Sequence, residues 1–176
     1  RGRCLLGKWG PNHAADPILT AEPSNPGGPW RVLVVTRGDC GLSALPGGMI
    51  DDEENEDMRG YTRTIQREIV EEAAEESGAV QRALAKGEVV YTGYVHDPRN
   101  THNAWIETVA VWGHLTAEEA DALVLRPAAD GETTTSYWMD MVDDGIDEMY
   151  ASHPTWVHTV QRKLAAGDRP RAAGCP

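Results

Sequence analysis

The sequence is short of cysteine, short of basic residues, and lacks any long apolar run. Its three cysteines (Cys4, Cys40 and Cys175) are an odd, scattered set among 176 residues. That argues for a reducing compartment over a disulfide framework, and the spacing is not that of metal ligands. No apolar run approaches the ~18 residues of a membrane-spanning helix, and there is no signal peptide, so no direct membrane insertion is expected of this segment. Lys and Arg number 16 against 28 Asp and Glu, for a net charge of −12. Such a balance argues against nucleic acid or an anionic membrane as a partner. An anionic ligand is still allowed if bound cations or a local arginine cluster offset the field. Internal repeats are absent. The chain also starts at Arg1 without a methionine, which leads us to expect a piece of something longer.

What remains is 40% hydrophobic, enough for one domain with a real core. Residues 1–29 read as an irregular N-terminal segment and linker packing on the core, rich in Gly, Pro, Asn and Asp and ending in the breaker-dense "AEPSNPGGP". Residues 30–176 read as the main domain. Within it "WRVLVV" and "EVVYTGYV" are strands, and "AWIETVAVWGHL" is a long strand, apolar on both faces and so central. "TSYWMDMV" is a further strand, while "TAEEADALVL" is open between helix and loop. A short helix through "AVQRALAK" stops at Gly87. The last helix, "SHPTWVHTVQRKLAAG", has Ser152 as N-cap, Pro154 in its first turn and Gly167 after its end. Irregular alternation of strands and helices predicts a mixed sheet with helices packed on it, an α/β fold.

"REIVEEAAEE" (Arg67 to Glu76) gathers five glutamates without a balancing lysine. At 100° per residue Glu68, Glu71, Glu72, Glu75 and Glu76 share one half of a helix, with Ile69, Val70, Ala73 and Ala74 opposite. A solvated face is the bland reading, but such faces interleave signs. Five repelling pairs at a few tenths of a kcal/mol each cost on the order of 1–2 kcal/mol. If Gly78 ends the helix, the acids also lie at its negative pole. Clustered oxygen ligands of one charge are what a hard cation such as Mg²⁺ requires.

Upstream lies "GGMIDDEE". Together with "REIVEE" it resembles the Nudix box, G-x5-E-x7-R-E-U-x-E-E-x-G-U. Gly48 and Glu54 satisfy the first part, with Glu53 and Glu56 as rivals for the acid. Twelve residues rather than seven separate Glu54 from Arg67, and the box glycine is replaced by Ala74 and the following aliphatic by Glu75. "RGRCLLGKWGPNHAADPIL", "CGLSALPGGM", "YTGYVHDPRNTHNAWIETVAV" and "YASH" extend the resemblance to the ADP-ribose pyrophosphatase branch of the Nudix superfamily. They also resemble the C-terminal domain of melastatin-type TRP channels gated by ADP-ribose.

The resemblance implies an α/β/α sandwich with a mixed central sheet and a loop-helix-loop box. It implies that Glu68, Glu71 and Glu72 bind divalent metal, Mg²⁺ with Mn²⁺ as a substitute, and that Arg67 orients the loop and the acids. Gly48, Asp97, Arg99, Asn103, Tyr150 and His153 become substrate-binding candidates, and Glu54 and Asp130 auxiliary ones; Glu107 joins Asn103 in orienting the binding loop. Each has a bland alternative: Asp97 and Arg99 as a turn around Pro98, Tyr150 and His153 as capping or packing. Trp30, Trp105, Trp112 and Trp138 are read as core. The expected activity is Mg²⁺-dependent hydrolysis of ADP-ribose to AMP and ribose 5-phosphate. The alternatives are a non-catalytic ADP-ribose sensor and a pyrophosphatase for another nucleoside diphosphate derivative. A place on the cytosolic side of a tetrameric channel stands beside that of a free mitochondrial or cytoplasmic enzyme.

Overall fold

In the computed structural model, residues 2–50, 60–75, 77–126 and 133–170 are described. Glu53, Glu54, Glu56, Glu76, Asp130 and Cys175 lie outside them.

The longest strands are two of 12 residues: β1 (Gly10–Ala21) and β6 (Ala104–Leu115), paired parallel in unbroken register from Gly10↔Ala104 to Ala21↔Leu115. β6 was expected; β1 was not. Two prolines and the polar Asn12, His13 and Asp16 suppress its strand propensity, and pairing with a partner some ninety residues away overrides them. Far from packing on the sheet as an irregular segment, residues 10–21 form its middle.

β1 alternates, with Ala14 and Ile18 entering one core and Ala15, Leu19 and Ala21 the other. β5 (Glu88–Tyr94) runs antiparallel on the far side of β6. β2 (Arg31–Arg37) meets β1 only at Thr20↔Val32 and Ala21↔Arg31. It then leaves to pair along its whole length with β7 (Thr133–Asp140). The short β3 (Ser43–Ala44) follows β2, while β4 (Gly48–Met49) takes up the edge of β1 that β2 vacates, at Ala14 and Ala15. This divergence of β1 from β2 creates the cleft described below.

Helices cover both faces. On one, α4 (Asp143–Asp147) and α5 (His153–Ala165) bring Ile146, Trp156, Val157, Val160 and Leu164 onto Ile18, Val34 and Trp112. On the other, α1 (Gly60–Glu72) and α2 (Gly78–Ala85) bring Ile65, Ile69, Val80 and Leu84 onto Leu19, Leu33, Val35 and Leu115. The result is an α/β/α sandwich around a mixed sheet. No helix among the described residues is long and apolar enough to cross a membrane.

Several local expectations need correction. Gly78 does not end α1: the helix stops at Glu72, and Gly78 opens α2, where Ser77 caps by accepting from the Ala79 N–H. The reason is a competing pairing. Ala73 and Ala74 both still donate to Ile69 O, but Ala74 bridges to Leu125 and the Arg126 N–H donates to Ala73 O. The segment left open resolves as α3 (Ala117–Asp121), nucleated by a capping box of Thr116 and Glu119. Ser152 occupies the N-cap position of α5 without a side-chain cap; its hydroxyl instead accepts from the His96 N–H at 3.2 Å. Trp112 is fully buried, but Trp105 is half-buried at the start of β6, its indole N–H donating to Glu107.

Candidate active site

The cleft between β1 and β2 holds a cavity of about 530 Å³. Its floor is the β1–β6 pair, with Ala14, Asp16 and Ile106. One wall is the turn Leu45–Met49, and the other is the loop after β5 together with the entry to α5.

The turn is locked to α1 through its glycines. The Gly47 N–H donates to Glu72 Oε2 at 3.0 Å. A Cβ on Gly48 would lie 2.3 Å from Glu68 Oε1, so only glycine lets the Glu68 carboxylate rest there. Arg67 ties the same parts together: Nη1 reaches Glu68 Oε1 at 2.9 Å and Glu71 Oε2 at 3.1 Å, and Nη2 donates to Met49 O at 3.1 Å. The acid stripe is therefore solvated only in part, at Glu71 and Glu75. Glu68 and Glu72 are buried, Glu71 is exposed, and Val70, expected opposite the acids, is itself 41% exposed.

The opposite wall carries guanidinium groups. Asp97 takes the Arg99 N–H and Nε–H on Oδ1, both at 2.8 Å, and Nη2 on Oδ2 at 2.8 Å. Burial pushes the Asp97 carboxyl up, but the hydrogen bonds and charge of Arg99 outweigh it and hold the acid below its ordinary value. The same bonds raise the Arg99 guanidinium against its own burial. The local turn and pairing are real, and both residues also line the cavity. Tyr150 O–H lies 3.4 Å from Asp97 Oδ2, and its ring lies 4.2 Å beneath the Arg37 guanidinium. Arg37 is in turn clamped by Asp39, at 2.9 and 2.7 Å. Ala151 adopts a φ of +51°, uncommon for a residue with a Cβ. This bend lets Tyr150 and His153, on either side of it, both face the cavity.

His153 is buried, and its Nδ1 accepts the Leu45 N–H at 2.9 Å. Burial first, and the Arg37 charge second, push it down to about 3, so the ring is neutral with its proton on Nε2. Asp16 is the least expected member. It lies on the buried strand β1 with Oδ2 accepting from Thr108 Oγ1 at 2.5 Å, and burial raises it to about 6 despite that bond.

Of the sequence candidates, the structure brings Gly48, Glu72, Asp97, Arg99, Tyr150 and His153 to one cavity. Glu68, Glu71 and Arg67 do not line it; Glu68 lies against Gly48 of its wall, and Arg67 bonds Glu68, Glu71 and Met49 O. Asn103 is exposed at the loop tip and does not line the cavity. The loop is held by Asn100, whose amide donates to Val95 O at 2.7 Å and accepts from Ile106 N at 3.0 Å. Asp16, Thr108, Arg37 and Asp39 were missed. "AADP" and "TRGD" are visible as polar residues interrupting strand-like runs, and that interruption was the available signal.

Among the described residues, no three acidic, histidine or cysteine side chains are already gathered as a metal site. The acids are held by Arg67 and by the Gly47 N–H. The donor chemistry nonetheless fits a hard divalent cation: carboxylate oxygens on adjacent turns of one helix, against a glycine turn whose missing Cβ leaves space for them.

No family model matches the chain. It is 39% identical over 189 residues to the mitochondrial ADP-ribose pyrophosphatase of Rattus norvegicus, covering 94% of this chain and 51% of that protein. It is 31% identical over 181 residues to the transient receptor potential cation channel subfamily M member-like 2 of Nematostella vectensis, covering 92% of this chain and 11% of that one. Thus the chain spans about half the length of the first relative and about a tenth of the second. Among solved structures, the NUDIX domain of Shewanella oneidensis NrtR complexed with ADP ribose superposes with a TM-score of 0.63. That match has 18% identity and covers 87% of this chain and 88% of that one. The fold is that of the Nudix structures, and the sequence is similar to an ADP-ribose pyrophosphatase along most of this chain.

Proposed function

We propose that this Nudix domain hydrolyses the diphosphate linkage of ADP-ribose, releasing AMP and ribose 5-phosphate, with Mg²⁺ as the metal and Mn²⁺ able to replace it. One observation carries the reading: a single cavity joins a carboxylate edge suited to metal with two guanidinium groups suited to phosphate. Glu68, Glu71 and Glu72 are the residues that would hold the metal. When bound, it would neutralise charge on the phosphates and lower the pKa of a water.

The protein's own groups do the rest. Arg67 fixes Glu68 and Glu71 relative to the Gly47–Gly48 turn, and Arg99 and Arg37 orient the diphosphate from the opposite wall. The aromatic ring of Tyr150 and the neutral His153 bound the space left for a sugar. Glu54 and Asp130 remain auxiliary candidates, and both lie outside the described residues. Asn103, with its exposed side chain, is given no part.

A second reading rests on the likeness to the channel-like protein over 92% of this chain. In it the domain lies on the cytosolic side of a tetrameric channel and senses the nucleotide as well as destroying it. A free, mitochondrial or cytoplasmic enzyme is the alternative setting. Sensing requires unequal affinity of the two gating states for ligand.

The test is AMP release from ADP-ribose with Mg²⁺, with Mn²⁺, with chelator, and in Glu71→Gln and Glu72→Gln. Chelation should abolish release, and each variant should lose at least about a hundredfold in turnover while keeping its fold. Near-normal release in chelator, or in both variants, would overturn the proposal.

A further inference from the structure

The unforeseen Asp16 makes a second demand on the ligand. Its Oδ2 is held by the Thr108 hydroxyl at 2.5 Å, which fixes the plane of the carboxylate. Its Oδ1 faces His153 Nε2 at 4.0 Å. That separation is too long for a direct hydrogen bond. It is the right span for one oxygen atom placed about 2.8 Å from each.

The chemistry of that oxygen is constrained from both sides. Leu45 N–H occupies His153 Nδ1, so Nε2 carries a hydrogen and donates. Asp16 Oδ1 accepts. The bridging atom must accept from the histidine and donate to the carboxylate, which a hydroxyl does. A phosphate oxygen has no hydrogen to give and carries charge that the carboxylate repels; a carbonyl has no hydrogen either.

We infer that Asp16 and His153 form a hydroxyl-reading subsite that accepts one sugar hydroxyl of the nucleotide and rejects an anionic group at that position. This rests on the ADP-ribose reading above. The subsite adjoins the acid edge: a Cβ on Gly47 would lie 2.3 Å from Asp16 Oδ1, and the Gly47 N–H binds Glu72. The hydroxyl therefore belongs to a ribose next to the diphosphate, on the adenosine side or the terminal side.

The experiment is a cycle of protein and ligand changes. Asp16→Asn keeps the shape, and Thr108 holds the amide oxygen on its own side, so an N–H replaces the acceptor facing His153. KM for ADP-ribose should rise about 10- to 100-fold, as for loss of a charged hydrogen bond, with kcat much less affected. The wild-type protein should lose the same factor with one ligand among 2′-deoxy-, 2″-deoxy- and 3″-deoxy-ADP-ribose, and the one that does identifies the ribose. Asp16→Asn should lose nothing further with that analogue, a coupling that a merely structural role would not give. If Asp16→Asn does not fold, Thr108→Val carries the same cycle, since it keeps the charge but frees the carboxylate to turn. Losses that simply multiply for every analogue would overturn the subsite while leaving ADP-ribose hydrolysis standing. Wild-type protein that neither binds nor cleaves ADP-ribose would overturn the functional reading and the subsite together.

Discussion

Gly48→Ala separates activity from stability. The added Cβ would lie 2.3, 2.5 and 2.8 Å from Oε1, Cδ and Oε2 of Glu68. Ordinary contact begins near 3.5 Å, so the carboxylate must withdraw by about 1 Å. A displacement of that size at a reacting centre costs about a hundredfold in rate. Stability should hardly change, because what moves is the far end of a flexible side chain and an alanine loses less freedom on folding than a glycine. The two effects together should stay within about 1 kcal/mol. Gly87→Ala is the opposite case. There the Cβ would meet Val111 Cγ1 at 2.7 Å, Leu84 O at 2.8 Å and Trp112 O at 3.1 Å, two of them backbone atoms that cannot turn aside. It should destabilise by about 1–3 kcal/mol. For a chain of this size each kcal/mol lowers the melting midpoint by about 2–4 °C. Turnover per folded molecule should survive. Steady-state AMP release and thermal melts on the two variants check the pair. A Gly48→Ala protein with wild-type turnover would refute the placement of Glu68 at the reacting centre. So would one that melts early while Gly87→Ala does not.

Arg99→Ala should raise KM far more than it lowers kcat, since on the proposed function the guanidinium would grip substrate from the wall opposite the acids. Arg99→Lys should recover only part, because Asp97 pairs with two nitrogens of a planar fork that an ammonium lacks; unchanged KM in both would return the loop to a purely structural role. Acidification should destabilise the fold. His153 at about 3 and His114 at about 4 lie below the ordinary 6.5, each chiefly through burial, so their contribution is complete above pH 6.5 and is lost as pH falls. Asp16, raised from 3.8 to about 6, works the other way between those values, because the folded state then binds the proton the unfolded chain releases. With two histidines against one carboxyl, the net slope between pH 6 and 4 is about 1.4 kcal/mol per unit for each unbalanced proton. Melting midpoints from pH 7.5 to 4.5 should fall, and fall more steeply in Asp16→Asn; a midpoint that rises in acid would contradict these assignments.

What the sequence revealed was whatever depends on neighbours along the chain. β6 and β2 show as apolar runs, α5 shows its proline and its terminal glycine, and the acids of α1 show their helical spacing. What it concealed depends on distant pairing. β1 carries Pro11, Pro17, Asn12, His13 and Asp16, and nothing local says that a parallel partner from Ala104 onward will make it a strand. The cleft exists because β2 leaves β1 after two paired positions, which no periodicity encodes. Asp16 and Arg37 were overlooked for that reason. Asn103 and Asn100 are the same residue type three positions apart in one loop. Only side-chain direction shows that the second holds the loop while the first faces solvent.

The net charge of −12 raises the question of how an anion enters. The cavity does not answer it with spare positive charge. Asp16, Asp39, Glu72 and Asp97 face Arg37 and Arg99 there, and each arginine is already gripped by an aspartate through two nitrogens. At an effective dielectric of 20, like charges 5 Å apart repel by about 3 kcal/mol, so a bare diphosphate would meet a site that opposes it. On the proposed function, the glutamates of α1 would reverse that balance only by carrying cations. Affinity and chemistry would then depend on one set of carboxylates, and the cost of crowding Glu68, Glu71 and Glu72 onto adjacent turns is offset when the site is filled. Arg67, bonded to two of the three, holds that repulsion in check until then.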